Sequence, residues 1–243
     1  MTMLEHSIKK YITDNGLGTF CPKAVLFDMD GVLYNSMPNH AVAWQQAMAQ
    51  FNINMTAADA YATEGARGVD TIRTIVKQQQ NRDIDEAEAQ RMYDVKTSIF
   101  HSMPTAPVFD GVIAIMRKIK DCGMAIGVVT GSGQRPLIAR LVNDFGNFIK
   151  EENIVTAYDV KNGKPAPDPY LMGMKKVGGL KPCETIVVEN APLGVKAGVS
   201  AGCFTIAVNS GPLPDEALAN EGANIVFGTM TELCAAWDDV FNA

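Results

Sequence analysis

The stretch KAVLFDMDGVLYNS, residues 23–36, decides the expected fold of this chain. Its apolar run AVLF is typical of a strand buried on both faces of a sheet. Asp28 and Asp30 follow that run directly, and Gly31 comes next. Side chains two residues apart on extended backbone point the same way, so the two carboxylates are predicted to share one opening.

Five later runs repeat the pattern of a short, β-branched, buried strand. They are AIGVVT (125–130), IVTAY (154–158), TIVVE (185–189), TIAV (205–208) and NIVF (224–227). Helical patterns lie between these runs, at 111–122, at 230–241 and after Asp168-Pro169, which is predicted to be an N-cap followed by the first helical residue. This alternation predicts an α/β fold with a parallel sheet and helices on both faces.

Residues 36–104 depart from this alternation of strands and helices, because their sequence has helical patterns and no strand pattern. Thr56 with Asp59, and Asp85 with Glu88, are signals for helix starts. We therefore expect an all-helical domain inserted at 36–104, with residues 1–35 and 105–243 forming the catalytic core. The extra N-terminal segment 1–20 is expected to be either a helix packed on the core or a mobile tail.

Composition limits the classes of partner. The chain has 243 residues and a formal net charge of −6, which disfavours general nucleic-acid binding. Its five cysteines have no CxxC spacing and are expected to be reduced thiols. The N-terminus does not resemble a signal peptide, and no apolar run reaches the roughly 18 residues of a membrane span. We expect a cytoplasmic monomer that binds neither membrane nor nucleic acid.

Polar residues stand where the predicted strands end, and parallel strands bring such residues to one edge of the sheet. Asp28 and Asp30 stand at the end of the first strand, and Thr130, Gly131 and Ser132 at the end of the second. Lys164 comes after the IVTAY run, and Glu189 and Asn190 stand at the end of the TIVVE run.

Carboxylates that face each other need a cation, and an oxygen-rich cluster suits Mg²⁺. A carboxylate beside such an ion can attack phosphorus, and a second one can serve as general acid and base. Backbone N–H groups after Thr130 are expected to hold phosphate oxygens, and Lys164 to offset the charge on the transferring group.

The motifs FDMDGVL, VVTGSG, GKPAPDPY and VVENAPLGVKAG resemble, in order and spacing, those of the haloacid dehalogenase superfamily of phosphotransferases. The helical insert resembles the small cap of its β-phosphoglucomutase and phosphatase branch. The resemblance implies a Rossmann-like core, a Mg²⁺ cofactor, Asp28 as nucleophile and Asp30 as acid/base. It further implies that Asp28, the Asp30 carbonyl and the pair Glu189-Asn190 ligate the metal, and that Thr130 and Lys164 bind the phosphoryl group.

Three positions depart from the mutase pattern. Asn190 stands in place of an aspartate, which removes one negative charge. In the stretch TEGARGVDTI, Glu64 aligns with a lysine and Gly68 with an arginine that hold a second phosphate in the mutases, and Arg67 is adjacent and could substitute. We expect Glu64 to reach the Mg²⁺ and supply the charge missing at Asn190; a solvated or helix-capping role is the alternative.

A cap drawn to the metal would leave a small polar space, and the pattern resembles bacterial members that hydrolyse inorganic pyrophosphate. His40, at the hinge, is expected either to help position Asp30 or to face solvent. The sequence thus predicts a Mg²⁺-dependent phosphohydrolase that forms an aspartyl phosphate and acts on pyrophosphate or a small phosphate ester. The alternatives are a β-phosphoglucomutase with the same aspartate chemistry and a non-catalytic phosphate-binding protein.

Overall fold

A six-stranded parallel sheet forms the centre of the protein, whose computed structural model describes residues 2–241. The strand order is β3-β2-β1-β4-β5-β6. This arrangement confirms the predicted α/β class with a parallel sheet. The strands are β1 (Ala24–Phe27), β2 (Ala125–Val129), β3 (Ile154–Val155), β4 (Thr185–Glu189), β5 (Phe204–Val208) and β6 (Ile225–Phe227).

Helices cover both faces of this sheet. Side chains alternate along β1, so Val25 and Phe27 pack in a different apolar cluster from Leu26. The first cluster includes residues of α1, α6, α7 and α11, and the second includes residues of α8 and α9. The helices are α1 (Met3–Asp14), α2 (Met37–Ala49), α3 (Ala57–Ala62), α4 (Gly68–Gln80), α5 (Glu86–His101), α6 (Val112–Asp121), α7 (Arg135–Phe145), α8 (Asp168–Lys176), α9 (Pro192–Ser200), α10 (Asp215–Ala219) and α11 (Met230–Phe241).

Two local predictions differ from the structure. The run 154–158 forms a strand only at Ile154–Val155, because Asp159 turns the chain: its carboxylate accepts hydrogen bonds from the backbone N and hydroxyl of Thr156 at 2.7 and 2.8 Å. Asp168 is the first residue of α8 rather than its N-cap, which is Pro167. The carboxylate of Asp168 accepts a hydrogen bond from Asn162 instead.

The N-terminal segment contains a helix packed on the core. Thr2 and Glu5 form a capping box at the start of α1. Leu4, Ile8 and Tyr11 are buried in the first apolar cluster, and the Tyr11 hydroxyl donates to the Gly202 carbonyl over 2.7 Å. Of the two expectations for residues 1–20, the packed helix is the one observed.

Helices α2–α5 lie between β1 and β2 in the chain, and no strand occurs between Met37 and His101. They share an apolar cluster of their own. Thr56 and Asp85 accept the N-terminal hydrogen bonds of α3 and α5, as their spacing predicts. The domain boundaries at 36 and 104 stay a prediction. Within residues 2–241 no helix has an apolar stretch long enough for a membrane span.

Candidate active site

Three adjacent strands deliver the predicted site residues to one edge of the sheet. β1 lies between β2 and β4, so the ends of these strands bring together Asp28, Thr130 and Glu189. Backbone pairing continues past the strands, since Asp28 N donates to Val188 O over 3.0 Å. This placement follows from the parallel topology, in which carboxyl ends share an edge.

Lys164 is the buried centre of this cluster. Its Nζ lies 2.5 Å from Asp28 Oδ1 and 2.6 Å from Glu189 Oε1, and it also donates to the Val129 carbonyl at 3.0 Å. Burial alone would lower the pKa of Lys164, but the two carboxylates raise it above its ordinary value. The ammonium is therefore held charged beside Asp28.

Glu189 anchors this lysine. Its Oε1 accepts a second hydrogen bond, from the Tyr170 hydroxyl at 2.6 Å, and its Oε2 accepts from the backbone N of Asn190 at 3.0 Å. Both carboxylate oxygens are thus engaged by protein groups. Its role as a metal ligand stays a prediction, while its contacts define it as the group that positions Lys164.

The nucleophile candidate Asp28 lies in an environment that favours its neutral form. It is 3% exposed, and burial raises its pKa to about 8; Glu189 and Asp30 add to the increase, and Lys164 opposes it. Added positive charge at this position would lower that pKa and favour the carboxylate that attacks phosphorus.

Asp30 is stabilised in its ionised form by groups that the inserted helices and the hinge contribute. Ser36 Oγ donates to Asp30 Oδ1 over 2.6 Å, and His40 Nε2 lies 3.2 Å from the same oxygen. Burial would raise the pKa of Asp30, but His40, Ser36 and the more distant Lys96 outweigh it and lower that pKa to about 2. Of the two expectations for His40, the position beside Asp30 is the one observed.

The sequence did not predict the role of Lys96, which contacts Nδ1 of His40, the ring nitrogen that does not face Asp30. Lys96 Nζ and His40 Nδ1 are 2.6 Å apart, and the ammonium lies 5.0 Å from the centroid of the Phe100 ring and 5.2 Å from that of Trp44. Burial lowers the pKa of Lys96 to about 8. A signal was present, because Lys96 interrupts the apolar stripe of α5 between Met92 and Phe100.

Glu64 reaches across from the inserted helices to the sheet. It is 8% exposed, and its Oε1 accepts a hydrogen bond of 2.8 Å from Asn190 Nδ2. Burial raises the pKa of Glu64 well above its ordinary value, in part offset by this hydrogen bond. Two of the three departures from the mutase pattern, Glu64 and Asn190, are therefore in direct contact, which excludes the solvated alternative for Glu64.

The inserted helices are closed against the core in this structure. A Cβ atom on Gly131 would lie only 2.7 Å from the carbonyl oxygen of Gly65, so the two loops touch at a glycine. The enclosed cavity has a volume of about 60 Å³. Its lining includes Asp28, Asp30, His40, Glu64, Lys96, Thr130, Gly131, Ser132 and Gln134.

Arg67 is not brought to this cavity. Its Nη1 donates to the Lys161 carbonyl at 3.0 Å, and the guanidinium lies near Asp70 and Glu86. The structure therefore does not support Arg67 as a substitute for the mutase arginine.

The loop after β2 lies beside Asp28, and its role in phosphate binding stays a prediction. Thr130 Oγ1 accepts from Ser132 N over 3.0 Å, and Ser132 Oγ accepts from Gln134 N over 3.2 Å. Because Thr130 accepts through its oxygen, its hydroxyl hydrogen is left to donate to a phosphate. Thr130, Gly131 and Ser132 thus line the cavity beside Asp28.

The donor set fits a hard divalent cation. Asn190 Oδ1 is buried and has no hydrogen-bond partner among the residues that the structure describes. Asp28, Glu64 and Glu189 are buried carboxyl groups, and Lys164 pairs with Asp28 and Glu189. Burial raises the pKa values of Asp28 and Glu64, and a cation bound beside them would stabilise their ionised forms. Within residues 2–241 no three His, Cys, Asp or Glu side chains form a ready metal cage. The fitting set is therefore mixed, with carboxylate, amide and carbonyl oxygens and bound water.

Comparison with known proteins defines the class. A family model described as haloacid dehalogenase-like hydrolase matches residues 25–208, more than half of the chain. The protein belongs to this family and is an enzyme of the haloacid dehalogenase-like hydrolases, as the motifs indicate.

Its relatives include phosphatases and a mutase. Hexitol phosphatase A of Escherichia coli strain K12 is 34% identical over 188 residues, covering 77% of this chain and 83% of the relative. The β-phosphoglucomutase of Bacillus subtilis strain 168 is 25% identical over 195 residues, covering 78% and 84%. A solved structure from Bacteroides vulgatus, provisionally named a β-phosphoglucomutase, is 45% identical with a TM-score of 0.92, covering 97% of this chain and 96% of that one.

Proposed function

We propose that the protein is a Mg²⁺-dependent phosphohydrolase that forms an aspartyl phosphate and acts on inorganic pyrophosphate or a small phosphate ester. One observation carries the proposal: Asp28, paired with Lys164, lines a cavity of about 60 Å³ whose lining also includes Glu64, which is hydrogen-bonded to Asn190. A single water needs roughly 10–15 Å³ of such space, so the cavity suits a compact polar substrate.

In the first half-reaction Asp28 attacks the terminal phosphorus, and the bond from phosphorus to the leaving oxygen breaks. Asp30 in its protonated form donates a proton to that oxygen, so that the leaving group departs with reduced charge. Lys164 and the Thr130 hydroxyl compensate the charge on the transferring phosphoryl oxygens. The product of this step is the phosphorylated Asp28 and the free leaving group.

In the second half-reaction Asp30, now a carboxylate, takes a proton from water. The resulting hydroxide attacks phosphorus, the bond to Asp28 breaks, and phosphate is released. The low pKa of Asp30 keeps this carboxylate ionised in the free enzyme, and substrate binding must raise that pKa for the acid role. His40, through its contact with Asp30, and Lys96, through its charge and its contact with His40, influence the pKa of Asp30.

Asp28, Asn190 and Glu64, with the Asp30 backbone carbonyl, would hold the metal. A bound Mg²⁺ supplies positive charge that neutralises phosphate oxygens and keeps Asp28 ionised. Glu64 would supply a metal ligand from the inserted helices, because their closed position brings it to Asn190.

Hydrolysis is tested by measuring phosphate release with Mg²⁺ from pyrophosphate and from a series of sugar phosphates. We expect pyrophosphate to be among the best substrates and Asp28→Asn to reduce turnover at least about 1000-fold. Substantial activity in Asp28→Asn would contradict the nucleophile assignment, and poor cleavage of pyrophosphate beside fast cleavage of hexose phosphates would overturn the compact substrate.

A β-phosphoglucomutase is the second candidate, supported by the names of the Bacillus subtilis relative and the Bacteroides vulgatus structure. It shares the chemistry of Asp28 but returns the phosphoryl group to a sugar hydroxyl. The position of Arg67 disfavours it, because no guanidinium of residues 2–241 lines the cavity to bind a second phosphate. Isomerisation of β-glucose 1-phosphate with little release of phosphate would establish it.

A further inference from the structure

Tyr93 of α5 occupies the space that a side chain at position 68 would need. A Cβ atom on Gly68 would lie 2.1 Å from Cε2 of the Tyr93 ring, far inside contact distance. The Tyr93 ring also packs near Trp44, and the two ring centroids are 6.1 Å apart. The glycine at the start of α4 therefore lets an aromatic ring fill this corner of the site.

The same ring separates two cavities. Tyr93 lines the catalytic cavity of about 60 Å³ and also an outer cavity of about 220 Å³. The outer cavity lies between the inserted helices and the core, and its lining includes Arg67, Glu86 and Tyr158. Besides Tyr93, both cavities share Gly68, Gly131 and Gln134.

Tyr93 and Gln134 are the two side chains that form this partition, because the other two shared residues are glycines. Gln134 Nε2 lies 3.4 Å from the Tyr93 hydroxyl, so a weak contact bridges the inserted helices and the core. Gln134 Oε1 is buried without a hydrogen-bond partner among the described residues. The partition between the two cavities thus consists of the Tyr93 ring and the side-chain amide of Gln134.

We propose that Tyr93 sets the upper size limit of the substrate by closing the catalytic cavity against the outer one. This rests on the proposed function, in which the phosphoryl group sits at Asp28 and the leaving group extends toward the inserted helices. A small leaving group stays within the inner cavity. A larger organic group would need the volume that the ring occupies, so the enzyme rejects it in the closed state.

The test compares Tyr93→Ala with the wild type on pyrophosphate and on a hexose 6-phosphate. We expect the ratio of kcat/KM for the hexose phosphate over pyrophosphate to rise at least about tenfold, since steric rejection in a pocket is commonly of this size. Tyr93→Phe keeps the ring and should leave the ratio unchanged. Tyr158→Ala removes a ring from the outer cavity alone and should also leave it unchanged.

Tyr93→Leu serves where the alanine variant does not fold, because it keeps apolar contact with Trp44 while vacating part of the ring space. A ratio within twofold of the wild type in a folded Ala or Leu variant would overturn the role of Tyr93. The wild-type preference between the two substrates tests the proposed function separately, so the failure of one is distinguishable from the failure of the other.

Discussion

Asn190 donates a hydrogen bond from Nδ2 to Oε1 of Glu64 over 2.8 Å, and so joins the end of β4 to the inserted helices. The amide can donate to a carboxylate, whereas an aspartate at 190 would place two carboxylates face to face. The remaining Asn190 oxygen has no partner within the described part of the chain and is the donor that a cation would use. Glu64 and Asn190, two of the three departures from the mutase pattern, therefore form one unit.

A double-mutant cycle tests this unit. Asn190→Asp should raise KM for pyrophosphate, because the new carboxylate repels Glu64 and opposes closure. Adding Glu64→Gln should restore part of the loss, with a coupling free energy of about 1–2 kcal/mol from kcat/KM. Additive effects of the two changes would show that the pair does not act together. Glu88→Gln, on the exposed side of the inserted helices, is the control and should have no coupling with position 190.

Lys164→Met should lower both activity and stability. The change leaves Asp28 and Glu189 buried without their shared cation, which costs about 3–5 kcal/mol of unfolding free energy in comparable sites. Urea denaturation without added metal measures it. The double variant Lys164→Met/Glu189→Gln should recover part of the stability and none of the activity. Lys175→Met, an exposed lysine on α8, should change stability by less than about 0.5 kcal/mol; a similar small change at 164 would contradict the ion-pair assignment.

Lys96→Met should stabilise the fold and slow the reaction. Burial lowers the pKa of Lys96 from 10.5 to about 8. Keeping this lysine charged in the folded state at neutral pH therefore lowers the free energy of unfolding by up to about 3 kcal/mol. The unfolded state binds more protons between pH 8 and 10.5, so wild-type stability should rise through that window. The gain of the variant over the wild type should accordingly be largest below pH 8 and shrink toward pH 10.5, as measured by urea denaturation. A pH-independent difference would show that the lysine charge is not the cause.

The activity of Lys96→Met should fall because His40 loses the group that fixes its Nδ1 side. We expect a lower kcat and a shifted pH profile, since His40 is one of the groups that set the pKa of Asp30. His101→Gln, a change at an exposed histidine on the same helix, is the control. A kcat and pH profile equal to those of the wild type would remove Lys96 from the machinery around Asp30.

Tyr11→Phe should destabilise the protein by about 1 kcal/mol. The change removes the hydrogen bond to the Gly202 carbonyl and leaves that acceptor without its donor. Thermal denaturation should show a lower midpoint with unchanged kinetic constants. Tyr158→Phe is the matched control, because the Tyr158 side chain is 86% exposed; an equal loss in both variants would argue against the role of α1 in the core.

Much of the site was predictable because it is encoded locally. A carboxylate pair follows a buried run and a glycine-rich turn follows the next strand, while the lysine before proline lies in the loop between β3 and α8. Parallel pairing then brings them together without further information. Lys96 and Tyr93 were missed because a helix stripe shows that a side chain is buried but not which distant group it meets.

The sequence by itself determined the α/β class, the inserted helices and the positions of the candidate site residues along the chain, because periodicity and motif order depend only on neighbours along the chain. Tertiary structure alone decided that Arg67 lies outside the cavity, that Glu64 binds Asn190 and that Tyr93 fills the space beside Gly68. These are contacts between segments distant in the chain, and they depend on how the inserted helices pack on the sheet. The reaction type therefore follows from local pattern, and the size of the space offered to the substrate follows from packing.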